Sequence, residues 1–295
     1  MSRMRIAIVT AISAFGSDRD TGPLCEALAA IGIATDHVAW DDPTVSWGRF
    51  DAALLRSPWN YSEQRPAFIG WTQRVARATR LLNPAHVVAW NTDKRYLAEL
   101  GASGLAVVES HFIAPEQVID ALPDWDEFVV KPSVGAGSKG AARFRRSDHE
   151  AALVHARQLQ AQGAHVLVQP YLADVDHVGE TALVYFDGRF SHAVRKAALL
   201  GDDGSRRCSQ SAPGVISPCE ADAGQRGLAE AVLREAGQLL ALQRPLAYAR
   251  VDLLPSPSGP QLLELELTEP SVFLGSGDGA AARFAEAIEA HLQAG

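Results

Sequence analysis

Three acidic residues stand inside two apolar, strand-like segments near the end of the 295-residue chain. Asp252 lies in the first segment, and Glu264 and Glu266 lie in the second, after a turn rich in Pro, Ser and Gly. Side chains alternate between the faces of a strand, so Glu264 and Glu266 share one face, and a hairpin brings Asp252 beside them. Oxygen ligands of this kind suit Mg²⁺ or Mn²⁺. The spacing predicts a metal site, and a solvated strand face with acids paired to Lys or Arg is the alternative.

A lysine and a glycine-rich loop follow another apolar strand pattern in the middle of the chain. Lys131 ends this strand, and the loop 133–140 contains the pattern G-x-G-x-x-G of dinucleotide-binding proteins. That fingerprint requires a helix after the glycines, whereas a second strand pattern begins here at Ala141. Backbone N–H groups of such a loop can surround phosphates, and small side chains let the loop close tightly. The pattern therefore predicts a phosphate-binding flap between two strands, with contacts from Gly135, Gly137 and Ser138.

A group of polar and aromatic residues follows the strand pattern 50–55. Ligands of open α/β sheets bind at the carboxyl ends of the strands, so we predict a substrate loop here. A turn whose aromatic residues cover the core is the alternative. The predicted substrate residues are Arg56, Ser57, Trp59 and Tyr61.

Lys94 is expected in the first turn of a helix that Thr92 or Asp93 caps and that runs to Leu100. The helix dipole disfavours a cation in this position, so an anionic ligand would stabilise it. A solvated lysine is the alternative.

Composition limits the classes of protein to which the chain can belong. A hydrophobic content of 47% and a charged content of 21% indicate a soluble globular protein with room for two or three lobes. The net charge of −8 argues against a nucleic-acid-binding surface, and no segment approaches the roughly 18 apolar residues of a membrane span. Three cysteines without metal-type spacing suit a reducing cytoplasm.

The order of elements predicts an α/β protein. Strands and a helix alternate in the first 55 residues as in a small parallel α/β lobe, and the apolar run from Ile6 is interpreted as a first strand rather than a signal peptide. A hairpin is expected over 180–196 with its turn at Asp187 and Gly188. The segment 201–214 is predicted to be a loop that either covers the substrate or only exposes Cys208.

The ordered set of motifs resembles the ATP-grasp superfamily over nearly the whole chain. The resemblance implies an N-terminal parallel α/β lobe over residues 1–93 and two α+β lobes, 94–170 and 171–295, that hold ATP between them. The motifs that carry the resemblance are Lys94, Lys131 with the loop 133–140, 169–172, Glu180, 250–252 and 264–266.

The resemblance also implies roles for these residues. Lys94 and Lys131 would contact the phosphates of ATP, and Glu180 would hold the ribose hydroxyls. Relatives of the glutathione synthetase type carry Arg where this chain has Ala182, so the cation near the transferred phosphoryl group is expected from Arg195 or Lys196, together with Arg250. Other implied contacts are an adenine-side linker formed by Gln169, Pro170, Tyr171 and Leu172, and Mg²⁺ or Mn²⁺ ions bound by Asp252, Glu264 and Glu266.

Within the superfamily, five segments are similar to the cyclo-ligases of D-cycloserine biosynthesis, which act on O-ureido-D-serine. This similarity implies a ligase that activates a carboxylate as an acyl-phosphate and closes a ring, with release of D-cycloserine, ADP, phosphate, CO₂ and ammonia. It also implies a small amino-acid-like substrate and a homodimer. The similar segments are 55–61, 90–96, 128–138, 190–196 and 265–271.

Three other functions compete with this interpretation. An intermolecular carboxylate–amine ligase would use the same residues but would require a second substrate. A nicotinamide-dependent oxidoreductase would rest on the glycine pattern alone. A module that only binds nucleotide would have little use for three acids and two lysines.

Overall fold

The computed structural model describes residues 4–198, 200 and 216–294, which form three β-sheets. The predicted loop 201–214 therefore lies outside the described residues. No helix in the described ranges is long and apolar enough to cross a membrane.

The N-terminal lobe is a parallel sheet with strand order β2-β1-β3-β4. The predicted first strand and first helix are confirmed. The third strand begins later than predicted and continues through Ser57, so Arg56 and Ser57 belong to the strand rather than to a loop. The elements are β1 (Arg5–Thr10), α1 (Thr21–Ala30), β2 (Ala34–Ala39), β3 (Ala52–Ser57), α2 (Arg65–Ala78) and β4 (Arg80–Leu82).

Two short helices, α3 (Ala85–Asn91) and α4 (Tyr96–Ala102), follow this lobe. They lie on both sides of the predicted domain boundary between residues 93 and 94 and share one apolar core with the third sheet. Lys94 lies in the turn before α4, so the prediction that it occupies a first helical turn is wrong. The tight turn at 92–95 delays the helix by two residues.

The middle lobe is an antiparallel sheet with strand order β5-β8-β6-β7, covered by α5. The predicted strand, glycine loop and strand are confirmed. Just before α5, the Asp148 carboxylate accepts a hydrogen bond from the backbone N–H of Arg145 at 3.3 Å. The elements are β5 (His111–Ile113), β6 (Glu127–Pro132), β7 (Ala142–Arg145), α5 (His149–Ala161) and β8 (Val166–Pro170).

The C-terminal lobe is an antiparallel sheet with strand order β11-β10-β9-β12-β13. Both predicted hairpins are confirmed, including the turn at Asp187 and Gly188 between β9 and β10. The elements are α6 (Val175–Val178), β9 (Glu180–Phe186), β10 (Arg189–Lys196), β11 (Ile216–Cys219), α7 (Ala223–Leu239), β12 (Tyr248–Leu254), β13 (Gln261–Glu266) and α8 (Ala280–Gln293).

The N-terminal and C-terminal lobes share one hydrophobic core. Leu24 and Leu28 of α1 and Phe284 of α8 belong to a single buried cluster with residues of β1 and β9. The rings of Phe186 and Phe284 stack with their centroids 4.4 Å apart. The middle lobe, in contrast, packs α5 on its own sheet in a separate cluster. The space between the lobes is thus bounded by the joined N-terminal and C-terminal lobes on one side and by the smaller middle lobe on the other.

Candidate active site

A cavity of about 1050 Å³ opens where the three lobes meet, and most of the predicted site residues line it. Each lobe contributes the end of a sheet or the loop that follows it. The predicted residues that line the cavity are Trp59, Tyr61, Lys94, Lys131, Gly135, Gly137, Ser138, Gln169, Pro170, Tyr171, Leu172, Glu180, Lys196, Arg250, Asp252, Glu264 and Glu266.

The hairpin of β12 and β13 presents the predicted acidic residues on one face. Asp252 lies opposite Glu264, and Arg250 lies opposite Glu266. Directly opposed residues of an antiparallel pair project to the same side, so these four side chains point together into the cavity. Asp252 is 1% exposed and Arg250 is 5% exposed. The face is therefore largely buried rather than solvated, although its acids are paired with Lys and Arg as the alternative interpretation expected.

Each of these carboxylates is paired with a cation. Arg250 donates from Nε to Asp252 Oδ1 and from Nη2 to Oδ2, both at 2.8 Å, and it also pairs with Glu266. Lys196 Nζ lies 2.8 Å from Asp252 Oδ2. Burial alone would raise the pKa of Asp252, but Arg250 and Lys196 outweigh it and hold that pKa well below its usual range. Burial raises the pKa of Glu266 to about 7, because Arg250 offsets it only in part.

The donor set fits a hard divalent cation. Asp252, Glu264 and Glu266 offer only carboxylate oxygens, the ligands that Mg²⁺ and Mn²⁺ prefer. Within the described ranges, no three Asp, Glu, His or Cys side chains are grouped so that they could hold a metal ion, and each of these carboxylates is paired with a cation. A metal ion at this face would replace Arg250, Lys196 or Lys94 as the neutralising charge.

Lys94 is held by both the acidic hairpin and the flap. Its Nζ lies 3.0 Å from Glu264 Oε1 and donates to the carbonyl oxygen of Gly135 at 3.0 Å. Burial opposes the charge on Lys94, but Glu264 overcomes that penalty and raises the pKa of the lysine. Lys94 therefore connects the acidic face of the hairpin to the glycine loop, although it is not at a helix N-terminus.

Lys131 is a cation that lacks such a partner. It lines the cavity at the end of β6, and among the described residues no carboxylate forms an ion pair with its ammonium group. Burial lowers the pKa of Lys131 from 10.5 to about 8, and Glu264 reverses this only in part. A phosphate group would supply the missing negative charge.

The glycine loop joins two antiparallel strands, as the flap interpretation requires. Gly137, Ser138 and Gly140 adopt positive φ angles, a conformation that glycine reaches without steric cost. Lys139 Nζ contacts Glu63 Oε1 at 2.6 Å and so connects the loop to the N-terminal lobe. Because a strand and not a helix follows the glycines, the dinucleotide fingerprint lacks the structure it needs.

The segment from Gln169 to Leu172 connects the middle and C-terminal lobes along the cavity. The backbone N–H of Tyr171 donates to the Glu127 carbonyl at 2.9 Å, and the guanidinium of Arg143 lies 3.5 Å from the centre of the Tyr171 ring. Gln169 donates to the Ser110 hydroxyl at 2.9 Å. These contacts fix a linker with an apolar and aromatic surface.

Glu180 and Lys196 lie at the C-terminal side of the cavity and form an ion pair. Burial raises the pKa of Glu180 to about 7, against the effect of Lys196. Successive side chains of β10 alternate, so Lys196 faces the cavity and Arg195 does not. Arg195 donates to the Val178 carbonyl at 2.8 Å instead.

Two of the predicted substrate residues do not line the cavity. Arg56 is fully buried and pairs with Asp18 at 3.1 Å and with Asp20 at 3.4 Å. Ser57 is also fully buried, and its hydroxyl lies 2.7 Å from that of Thr10. Both residues stabilise the end of β3 from inside, because the strand extends to Ser57.

Sequence reasoning missed the segment 269–276, which lines the cavity directly after the acidic hairpin. Asp20 accepts hydrogen bonds from the backbone N–H groups of Val272, Phe273 and Leu274 at 2.7, 3.0 and 2.7 Å. These bonds support Phe273 in a left-handed backbone conformation. Asp20 follows β1, and the carboxyl ends of parallel strands are where ligands bind in such sheets. This position could have identified Asp20 as a residue near the site from the sequence alone.

Comparison with known proteins identifies the family. The model for the N-terminal domain of D-cycloserine synthetase DcsG matches residues 6–83. The chain is 40% identical over 297 residues to the cycloserine biosynthesis protein DcsG of Streptomyces lavendulae, and the match covers 98% of this chain and 99% of that protein. A crystal structure of D-cycloserine synthetase DcsG is similar, with a TM-score of 0.92, 40% identity, and coverage of 98% and 99%.

A D-alanine–D-alanine ligase from Bacillus anthracis shares the fold, with a TM-score of 0.68, 14% identity, and coverage of 100% of this chain and 98% of that structure. The predicted fold and the family resemblance are both confirmed. The chain belongs to the DcsG family of ATP-grasp ligases.

Proposed function

We propose that the chain is a cyclo-ligase that converts O-ureido-D-serine into D-cycloserine at the expense of ATP. The observation that carries this proposal is the 40% identity to the cycloserine biosynthesis protein DcsG over 98% of the chain. The cavity supports it, because its lining combines two lysines and a glycine loop suited to phosphates, three carboxylates suited to a metal ion, and the aromatic residues Trp59 and Tyr61.

ATP would bind between the middle and C-terminal lobes. The linker 169–172 supplies a surface for the adenine, and Glu180 lies where it can accept hydrogen bonds from the ribose hydroxyls. Lys131 and Lys94 lie at the base of the flap and would contact the phosphates. The unpaired charge on Lys131 supports this placement, since a phosphate would restore the interactions that burial removes.

Asp252, Glu264 and Glu266 would hold Mg²⁺, or Mn²⁺, beside these phosphates. When bound, the metal ion offsets negative charge on the phosphoryl group as it is transferred, the electrostatic contribution that usually dominates such reactions. With the metal ion bound, the acids would give up part of their pairing with Arg250 and Lys196. These two cations would then face the transferred phosphoryl group. Of the two predicted cations, Lys196 lines the cavity and Arg195 does not, so Lys196 would replace the arginine expected where this chain has Ala182.

The chemistry activates a carboxylate, which is a poor electrophile by itself. The γ-phosphoryl group moves to an oxygen of the substrate carboxylate, which gives an acyl-phosphate and ADP. The ureido nitrogen attached to oxygen attacks the acyl carbon, phosphate leaves, and a five-membered ring forms. One water molecule is consumed as the carbamoyl group leaves as CO₂ and ammonia. Positioning of the intramolecular nucleophile contributes several kcal/mol, on the order of the effective-molarity effect.

The flap would keep water away from the acyl-phosphate during this reaction. Its contacts with Lys94 and Glu63 connect it to the remainder of the site in a closed position. Exclusion of water prevents hydrolysis of a reactive intermediate and strengthens the electrostatic interactions.

The test is to measure ADP release with ATP and Mg²⁺ in the presence of O-ureido-D-serine, of its L-isomer, or of no substrate, with products identified by mass. We expect ADP and D-cycloserine in equal amounts with the D-isomer and without a second substrate. ADP release that requires an added amine would replace the proposal with an intermolecular ligase. No ADP release with any ureido compound would refute it.

A further inference from the structure

Glu269 differs from the other acidic residues of the cavity wall. In the part of the chain that the structure describes, no Lys, Arg or His forms an ion pair with Glu269, whereas the other acids that line the cavity are each paired. The pairs are Asp18 and Asp20 with Arg56, Glu63 with Lys139, Glu180 with Lys196, Asp252 with Arg250 and Lys196, Glu264 with Lys94, and Glu266 with Arg250.

The surroundings of Glu269 leave its negative charge uncompensated. Its carboxylate accepts a hydrogen bond from the Tyr61 hydroxyl, and its backbone carbonyl accepts one from the Trp59 indole N–H at 3.4 Å. Burial raises the pKa of Glu269 to about 8, and the negative charge of Glu266 adds to that effect. The charge of Lys94 offsets only part of this increase. A cation next to Glu269 would therefore be stabilised strongly.

Glu269 lines the same cavity as Arg250, which is expected to face the substrate carboxylate during phosphoryl transfer. Arg250 Nη1 donates to the carbonyl of Ser271 at 3.0 Å, two residues after Glu269, and the Arg250 guanidinium lies 5.4 Å from the centre of the Phe273 ring. An amino acid carries its carboxylate and its ammonium group on one carbon atom. A site for both needs a cation and an anion along one cavity, and Arg250 and Glu269, which both line it, supply these charges.

We propose that Glu269 binds the ammonium group of the amino-acid substrate and thereby selects the configuration at its α-carbon. This inference rests on the proposed function, which places Arg250 at the phosphoryl group that the substrate carboxylate receives. With the carboxylate and ammonium groups fixed, the side chain of only one enantiomer points towards the phosphate-binding end of the cavity. The Tyr61 hydroxyl positions the carboxylate of Glu269 by its hydrogen bond.

The test uses Glu269→Gln, which keeps the size and the hydrogen-bonding capacity of the side chain but removes its charge. The probes are O-ureido-D-serine, its L-isomer, and 3-(ureidooxy)propanoate, which lacks the amino group. We expect the KM for O-ureido-D-serine to rise about 10- to 100-fold, as loss of a charge-assisted hydrogen bond predicts. The KM for ATP should stay within about threefold, and the preference for the amino compound over 3-(ureidooxy)propanoate should disappear.

Glu286→Gln is the matched control, because it makes the same change at an exposed position of α8. An unchanged KM and unchanged discrimination in Glu269→Gln would overturn the inference. A lower kcat with unchanged KM would also overturn it, because Glu269 would then act in the reaction and not in recognition. Circular dichroism and thermal unfolding of each variant separate these outcomes from misfolding.

Failure of the proposed function is a distinct result. If the wild-type protein releases no ADP with O-ureido-D-serine, calorimetric binding of D-serine and of 3-hydroxypropanoate compares ligands with and without the ammonium group. Weaker binding of D-serine to Glu269→Gln than to the wild type would support the ammonium site by itself. Equal binding to both proteins, or binding of D-serine to neither, would overturn it.

Discussion

Replacing Lys131 with Met is expected to stabilise the free protein and to weaken nucleotide binding, two effects of opposite sign. The lysine lines the cavity, and no ion pair with it is found in the described residues. Met has a similar length and carries no charge. The variant thus removes a desolvated cation without leaving a large cavity.

The size of the stabilisation follows from the pKa of Lys131. Burial lowers this pKa from 10.5 to about 8, and a shift of this size corresponds to about 3 kcal/mol in favour of the unfolded state at pH 7. The side chain is partly exposed, and solvent screening reduces this to about 2 kcal/mol. Between pH 8 and 10.5 the unfolded state binds more protons, so wild-type stability rises with pH and the advantage of the variant shrinks.

The loss of binding follows from the missing contact with phosphate. A hydrogen bond between charged groups contributes about 1.5 to 3 kcal/mol, so the Kd for ATP with Mg²⁺ should rise roughly 10- to 100-fold. Urea unfolding at pH 7 and pH 10 measures the change in the free energy of unfolding, and calorimetric titration measures the change in the Kd for ATP. Lys139→Met is the matched control, because Lys139 lies on the exposed part of the flap and pairs with Glu63. Loss of this exposed ion pair should lower the free energy of unfolding by no more than about 1 kcal/mol.

Two results would refute this reasoning. A Lys131→Met protein that is less stable than the wild type at pH 7 would mean that the lysine is compensated in the folded state. An unchanged nucleotide affinity would mean that Lys131 does not contact the phosphates.

Three further substitutions test other parts of the structure. Glu264→Gln should lower ADP release at least 100-fold, on the order of the effect of removing one electrostatic group from a transition state. The circular dichroism spectrum should be unchanged, and near-normal activity would remove the metal assignment. Asp20→Ala should lower the free energy of unfolding in urea by about 3 kcal/mol, because Arg56 loses a buried partner and three N–H groups lose their acceptor. A decrease below about 1 kcal/mol would show that the buried network reorganises. Gly277→Ala should cost about 1 to 3 kcal/mol by overpacking, because the new Cβ would lie 2.7 Å from Cγ of His192, and a Tm equal to that of the wild type would contradict the packing.

The sequence allowed much of the fold to be predicted, because its strongest signals are local. The hairpin turn at Asp187 and Gly188 and the shared face of Asp252 and Glu264 follow from turn chemistry and from strand alternation. Pairings between distant segments leave no such local pattern. Arg56 is buried because it pairs with Asp18 and Asp20, which lie 38 and 36 residues earlier in the chain. From the sequence alone, an arginine after an apolar strand suggested a substrate contact instead.

The same limit applies to the candidate site. Glu269 has an ordinary sequence context, and only the fold shows that the cations near it are already occupied by other acids. The side of β10 that faces the cavity also depended on pairing with β9, which places Lys196 opposite Glu180.

The shared core of the first and last lobes has a consequence for biosynthesis. Leu24 and Leu28 lie in a buried cluster that is completed by helix α8, more than 250 residues later. The ribosome must therefore synthesise almost the whole chain before α8 can complete the cover on this face of the N-terminal sheet. The middle lobe, whose core joins α5 to nearby strands, has short-range contacts and can condense earlier, since local contacts form with less loop-closure entropy. We expect the nascent N-terminal segment to depend on chaperones until synthesis ends, because its apolar face stays exposed for that time.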